Sequence, residues 1–205
     1  MSIDPQGRSG PENMARDEGL LSDADRTGAA FLRLYRWDPP CLSLGRNEPS
    51  VERPGVAMVR RPTGGRSVWH EHEVTYAVAA PLALFGRLRD AYCAIHERLA
   101  IALRSLGVEA RLAEERPIVR LSERPVSCFA TTVGGEILVD GRKVAGSAQV
   151  RRGAAFLQHG SILLDGPTSQ NATTLRQALG RVVTFEEVTD AILAAWGDLA
   201  PLAHR

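Results

Sequence analysis

Lys143 is the only lysine in a chain of 205 residues; 24 of its 25 basic side chains are arginine. Guanidinium does not release its proton near neutrality, whereas an ammonium is compact and shifts its pKa with its surroundings, downward from ~10.4 when desolvated. A sequence that fills every other cationic position with arginine marks Lys143 as a candidate for proton shuttling or carbonyl polarisation. It stands in Gly141-Arg142-Lys143-Val144-Ala145-Gly146-Ser147-Ala148-Gln149, where small residues leave room beside the backbone. The same position also suits an edge-strand lysine that blunts sheet pairing.

Three further clusters could join it. Cys128 lies upstream in Val126-Ser127-Cys128-Phe129-Ala130. A thiolate beside an ammonium is activated below its free pKa of ~8.5, while a buried cysteine is otherwise a core filler. Cys41 and Cys93 lack such company. The loop Arg60-Arg61-Pro62-Thr63-Gly64-Gly65-Arg66-Ser67-Val68 combines adjacent glycines, which let backbone N–H groups approach a ligand, with arginines that clamp phosphate or carboxylate oxygens. An ordinary turn with solvated arginines has the same composition. It is neither a P-loop nor a dinucleotide fingerprint. His70-Glu71-His72-Glu73 sets two histidines on one face of a strand. Without a third ligand, and without the HExxH spacing, no metal site is expected; a hairpin with polar residues at its turn is. Gln158-His159-Gly160-Ser161 completes the set.

The elements that must position these residues read as follows. A helix is expected over residues 11–26, a strand over 31–37, and short strands near 41–44, 57–61, 66–70 and 73–79. Leu88, Tyr92, Ile95, Leu99, Leu103 and Leu106 recur at helical spacing across 86–106, with Gly107 as the stop. A short strand at 110–112 precedes a charged loop. Strand 136–139 meets Asp140-Gly141, a two-residue hairpin signal, and returns through 142–150; a strand at 154–164 carries His159. Thr184-Phe185-Glu186-Glu187 is a capping box that opens a last helix. Helices and hairpins fall in separate runs, so the fold class is α+β. One domain is expected over 1–205, with a flexible N-terminus at 1–10 and a helical extension at 166–205.

Composition narrows the functional classes. A formal net charge of +1 argues against a duplex-binding module. No apolar run approaches the ~20 residues needed to span a bilayer, and the polar first twenty residues contain no secretory signal. Three sparse cysteines fit a reduced, cytoplasmic setting. Neither nucleic acid nor membrane is an expected partner.

Taken in order, NMARDEGLL at 13–21, RLYRWDPPCLSLG at 33–45, RRPTGGRSVWHEHEVTYAV at 60–78 and GRKVAGSAQVRRGAAFLQHGSILLD at 141–165 resemble the biotin/lipoate ligase and transferase superfamily. The resemblance covers about Asn13 to Asp165. It implies a mixed, largely antiparallel sheet flanked by helices, related to class II synthetase cores. It also implies that Lys143 contacts the acyl carbonyl. Arg61, Gly64, Gly65, Arg66 and His70 would line the substrate site, with Gly146, Ser147, Ala148, Gln149, His159 and Gly160 opposite them. Cys128 stands where one octanoyltransferase branch carries its nucleophile, and TGGR at 63–66 looks like that branch. The stretch ATTVGGEIL after Phe129 and the short region beyond Asp165 depart from it.

The expected activity is octanoyl transfer from an acyl carrier protein, through a Cys128 thioester, to a lysine of a lipoyl carrier domain. That domain would belong to the glycine-cleavage H protein or a 2-oxoacid dehydrogenase E2. No cofactor is required for this. The alternatives are an ATP- and Mg2+-dependent lipoate ligase in which Cys128 is incidental, and a non-catalytic homologue that binds lipoyl domains or cofactor. Arg60, Arg151 and Arg152 are candidates for steering an acidic carrier protein, with solvated surface as the other reading.

Overall fold

The computed structural model describes residues 1–49, 53–114, 129 and 134–197. Among these residues ten strands form two sheets. Strands β1 (Ser2–Arg8), β2 (Phe31–Trp37), β6 (Glu73–Pro81), β7 (Arg111–Leu112), β8 (Ile137–Val139), β9 (Arg142–Arg152) and β10 (Ala155–Leu163) make the larger one, in the order β1-β2-β6-β10-β9-β8-β7. Only β1 runs parallel to its neighbour β2; every other pair is antiparallel. The smaller sheet has the order β4-β3-β5, from Met58–Arg60, Cys41–Leu44 and Val68–His70.

Both faces of the large sheet are covered, which is why β6 is buried along nearly its whole length. Side chains alternate across a strand. Val74, Tyr76, Val78 and Ala80 therefore join one core with helix α2 (Leu88–Ser105) and helix α4 (Phe185–Trp196). Ala77 and Ala79 join the other, beneath helix α1 (Gly10–Thr27). Thr184 caps α4 by accepting from the Glu187 N–H, and Glu187 answers by accepting from the Thr184 N–H, so the expected capping box forms. The Asp140-Gly141 turn takes φ of 48° and 73°, the positive pair that a two-residue hairpin requires, and Val139 faces Arg142 across it.

Two expectations need correction. Residues 1–10 are not a flexible arm: Ser2–Arg8 pairs with β2, and Asp4 meets Arg33 at 2.9 Å. The strands at 68–70 and 73–81 are not a hairpin, because β5 belongs to the small sheet and β6 to the large one. The chain crosses between sheets at Glu71-His72, and this crossing shapes the site. In the 166–205 region, α4 is joined by the short helix α3 (Leu175–Leu179), capped by Thr174. No helix among the described residues is long and apolar enough to cross a membrane.

Candidate active site

Between the sheets lies a cavity of about 30 Å3, walled mainly by carbon. Gly146, Ser147 and Ala148 of β9 and His159, Gly160 and Ser161 of β10 form one wall; Ser43, Arg61, Val68 and His70 of the small sheet and its loop form the other. Met14, Tyr35 and Trp37 also contribute. A Cβ on Gly160 would strike Ser147 Oγ and the Gly146 carbonyl, so this position admits only glycine.

Lys143 stands at the Gly146 end. A Cβ placed on Gly146 would lie 3.1 Å from Lys143 Cε and 3.4 Å from Nζ. The lysine is 1% exposed, and its Nζ donates to Glu136 Oε1 at 2.6 Å. The edge-strand reading is thereby excluded. Glu136, just ahead of β8, is itself buried. A paired carboxylate offsets the large penalty of burying an ammonium. Phe129 lays its ring 5.3 Å from Nζ. Cys128 lies outside the described residues.

Beneath Ser147 runs a buried hydrogen-bond chain with one consistent direction. Burial pushes the His96 pKa down from the ordinary 6.5 to about 4, opposed by its bond to the Gly135 carbonyl and assisted by the nearby charges of Lys143 and Arg89. Neutral His96 donates through Nδ1 to Gly135 (2.6 Å), so Nε2 accepts from Ser147 Oγ (2.8 Å). Burial keeps the Tyr76 hydroxyl protonated; it donates to Ser147 (2.6 Å) and accepts from Gln158 (2.8 Å).

Two carboxylate–imidazole–hydroxyl series fasten the small sheet and its loop to the large sheet. Asp17 accepts from His159 Nδ1 (2.9 Å), and His159 Nε2 shares a hydrogen bond with the Thr63 hydroxyl (2.7 Å). Asp17 also holds Arg33 and Tyr35, and desolvation together with the Asp17 charge holds the Tyr35 hydroxyl protonated. In the second series, Glu73 accepts from His70 Nδ1 (2.6 Å), and Nε2 accepts from Ser43 (2.7 Å). Trp37 stacks on His70 at 3.9 Å. His70 thus faces Glu73 rather than sharing an outlook with His72, which is exposed beside Glu71.

The arginines differ from their expected roles. Arg61 donates to the carbonyls of Ser43, Gly64 and Arg66 and to Ser43 Oγ, so it shapes the loop rather than clamping an anion. Gly64, Gly65 and Arg66 are not among the cavity walls; Gly65 is where the loop backbone presses on Gly45. Arg60 donates to the carbonyls of Gly45, Arg46 and Glu48 and holds that turn. Gln149 faces α2, bonding Leu88 O and Gln158. Arg151 and Arg152 are exposed at the β9–β10 tip, where Arg152 approaches Glu18. Nine residue-to-residue steps of strand, roughly 30 Å, separate Arg152 from Lys143.

Sequence reading missed Asp17, Glu73, His96 and Glu136. A signal existed for two of them. Asp17 interrupts the stripe Met14, Leu21, Ala24 of α1, and His96 borders the stripe Tyr92, Ile95, Leu99 of α2. A polar group within an apolar stripe must find a buried partner.

The sequence profile of the lipoyl protein ligase A/B catalytic domain matches residues 9–172. The chain is 42% identical over 174 residues to the octanoyltransferase LipM of Carboxydothermus hydrogenoformans, covering 79% of this chain and 64% of that protein. To the LipM of Symbiobacterium thermophilum it is 36% identical over 229 residues, covering 95% and 84%. Among solved structures, a lipoate-protein ligase A bound with ATP superposes with a TM-score of 0.76 at 20% identity, covering 96% of this chain and 84% of that one. The bipartite lipoate protein ligase of Thermoplasma acidophilum gives 0.65 at 18% identity, over 96% and 82%. These two likenesses carry the fold alone. The profile match and the sequence relatives place the chain in the lipoyl protein ligase A/B catalytic-domain family, on its octanoyltransferase branch.

Proposed function

We propose that the protein transfers an octanoyl group from an acyl carrier thioester to a lysine of a lipoyl carrier domain. The observation that carries this reading is the buried Lys143–Glu136 pair set against Gly146 at one end of an apolar cavity. The relatives named octanoyltransferase support the reaction class.

In this mechanism the Cys128 thiolate attacks the thioester carbonyl, and the carrier thiol leaves. The acceptor amine then attacks the acyl-enzyme, forms the amide, loses a proton and returns the cysteine. Lys143 polarises the carbonyl in both halves and passes protons between the sulfur and the leaving group. Glu136 orients its ammonium. Cys41 is unsuited to the nucleophile's part, since burial pushes its thiol up to about 11. The transfer needs no cofactor, and a reducing cytoplasm keeps the thiol available. The acceptor is a lipoyl domain of the glycine-cleavage H protein or of a 2-oxoacid dehydrogenase E2, and the donor is octanoyl-acyl carrier protein.

Intact-mass spectrometry after incubation with octanoyl-acyl carrier protein tests this. A mass increase of one octanoyl group is expected on the native chain and not on Cys128→Ser. Lipoate-dependent pyrophosphate release from ATP, retained in Cys128→Ser, would overturn it in favour of a ligase.

A further inference from the structure

Glu73 carries one oxygen that the site above does not use. Its Oε1 accepts from His70, Thr75 and Ser161. Its Oε2 is buried and has no hydrogen-bond partner among the described residues, and the side chain is 2% exposed. A carboxylate oxygen held out of water without a donor is strongly unfavourable, so the arrangement is complete only when a donor arrives. Three donors on Oε1 fix the carboxylate plane, and with it the direction of Oε2.

Glu73 also borders a second groove, of about 180 Å3, walled by Trp69, Glu71, Phe129, Asp165 and Ala172 among others. Its chemistry suits an alkylammonium group. Glu71 adds negative charge at its wall, while Asp165 is held in an ion pair by Arg176, and Trp69, 47% exposed, offers an indole to an aliphatic stem or a cation. Among the described residues no three His, Cys, Asp or Glu side chains converge as metal ligands. A single-point N–H donor therefore matches Oε2 better than a coordinated ion does. The groove also leads to the reacting lysine: Phe129 is shared with Lys143, and Ala172 forms a backbone bridge with it.

We propose that this groove admits the acceptor lysine of the carrier domain, and that its ammonium docks on Glu73 Oε2 before transfer. The assignment rests on the acceptor-lysine chemistry of the function proposed above. It adds the route by which that lysine arrives and the residue that receives it. Trp69 covers the methylene stem, and Lys143 stays paired with Glu136 as the second ammonium enters.

The test is a binding cycle read by calorimetry, independent of turnover. The probe is an unmodified recombinant E2 lipoyl domain, compared with the same domain carrying glutamine at its acceptor lysine. Loss of a charge-assisted contact predicts about tenfold weaker binding of the glutamine domain to the native chain. Glu73→Gln should bind both domains equally, at the weaker affinity. Circular dichroism confirms that the variant is folded; if it is not, Trp69→Ala serves instead and should weaken binding of the lysine domain several-fold. Equal binding of the two domains by the native chain, or full discrimination by Glu73→Gln, overturns the assignment. Octanoyl loading is measured separately on the same preparation. Its absence rejects the acyl-enzyme while leaving the lysine discrimination readable.

Discussion

Lys143 and Glu136 form a buried ion pair whose halves depend on each other unequally with respect to function and stability. Their heavy atoms meet at 2.6 Å with both side chains nearly inaccessible. Removing one partner of such a pair leaves a charge in a medium that cannot solvate it, at a cost of about 3–5 kcal/mol. Replacing both with uncharged groups of similar shape avoids that penalty. Glu136→Gln should therefore lower stability by roughly 3 kcal/mol in urea denaturation, and adding Lys143→Met should restore more than half of the loss. Both variants should lack transfer activity. If the double variant is as unstable as the sum of the singles, the pair is not coupled and Glu136 does not orient the ammonium. At this scale Lys143 was legible because it is the single lysine in an arginine-rich chain. Glu136 was not, since nothing marks one glutamate among many until β8 and β9 fold it back onto the lysine.

At the scale of elements, α2 does two jobs. Its apolar stripe packs against β6, and His96 on the flank of that stripe reaches Ser147 in the cavity wall. The packing was legible from periodicity; the hydrogen-bond chain was not, because its members sit on α2, β6, β9 and β10. Strand β1 escaped notice for a related reason. SIDPQGR has no apolar alternation, and its extended form comes from pairing with β2 at an edge. Glu73 was hidden by the assumption of a hairpin, which set it opposite His70 instead of beneath it. The tethering of α2 to the site has a pH signature. His96 titrates at about 4 when folded, against 6.5 ordinarily. The unfolded chain binds the proton more tightly, so the stabilisation is complete above pH 6.5 and is lost as pH falls toward 4. The full difference is about 3 kcal/mol. His96→Gln should show a shallower loss of urea midpoint between pH 7 and 5 than the native chain, whatever its stability at pH 7. Parallel curves would mean that His96 is not held neutral.

For the molecule as a whole, the cavity we assign to the acyl group is a seam between two sheets, and in this structure the seam is narrow. A cavity of about 30 Å3 has room for one or two waters, not for an eight-carbon chain. In the proposed reaction acyl binding parts the walls, and the hydrogen bonds across the seam set how far. On one side of the cavity the tie is Thr63 to His159, itself oriented by Asp17; on the other it is His70 to Glu73, with Ser43 bonded to the far side of the imidazole. The contact of Gly45 with Gly65 closes the loop between them. Longer chains need wider separation, so ties that resist opening penalise them more than they penalise octanoyl. Thr63→Val keeps the shape of the side chain and deletes the bond to His159. It should reduce stability by about 1–2 kcal/mol, because His159 Nε2 loses its buried hydrogen-bond partner. In competition between decanoyl- and octanoyl-acyl carrier protein, read by intact mass of the enzyme, the decanoyl share should rise several-fold over that of the native chain. An unchanged ratio, with the stability loss present, would show that the Thr63 tie holds the fold but does not limit how far the seam opens.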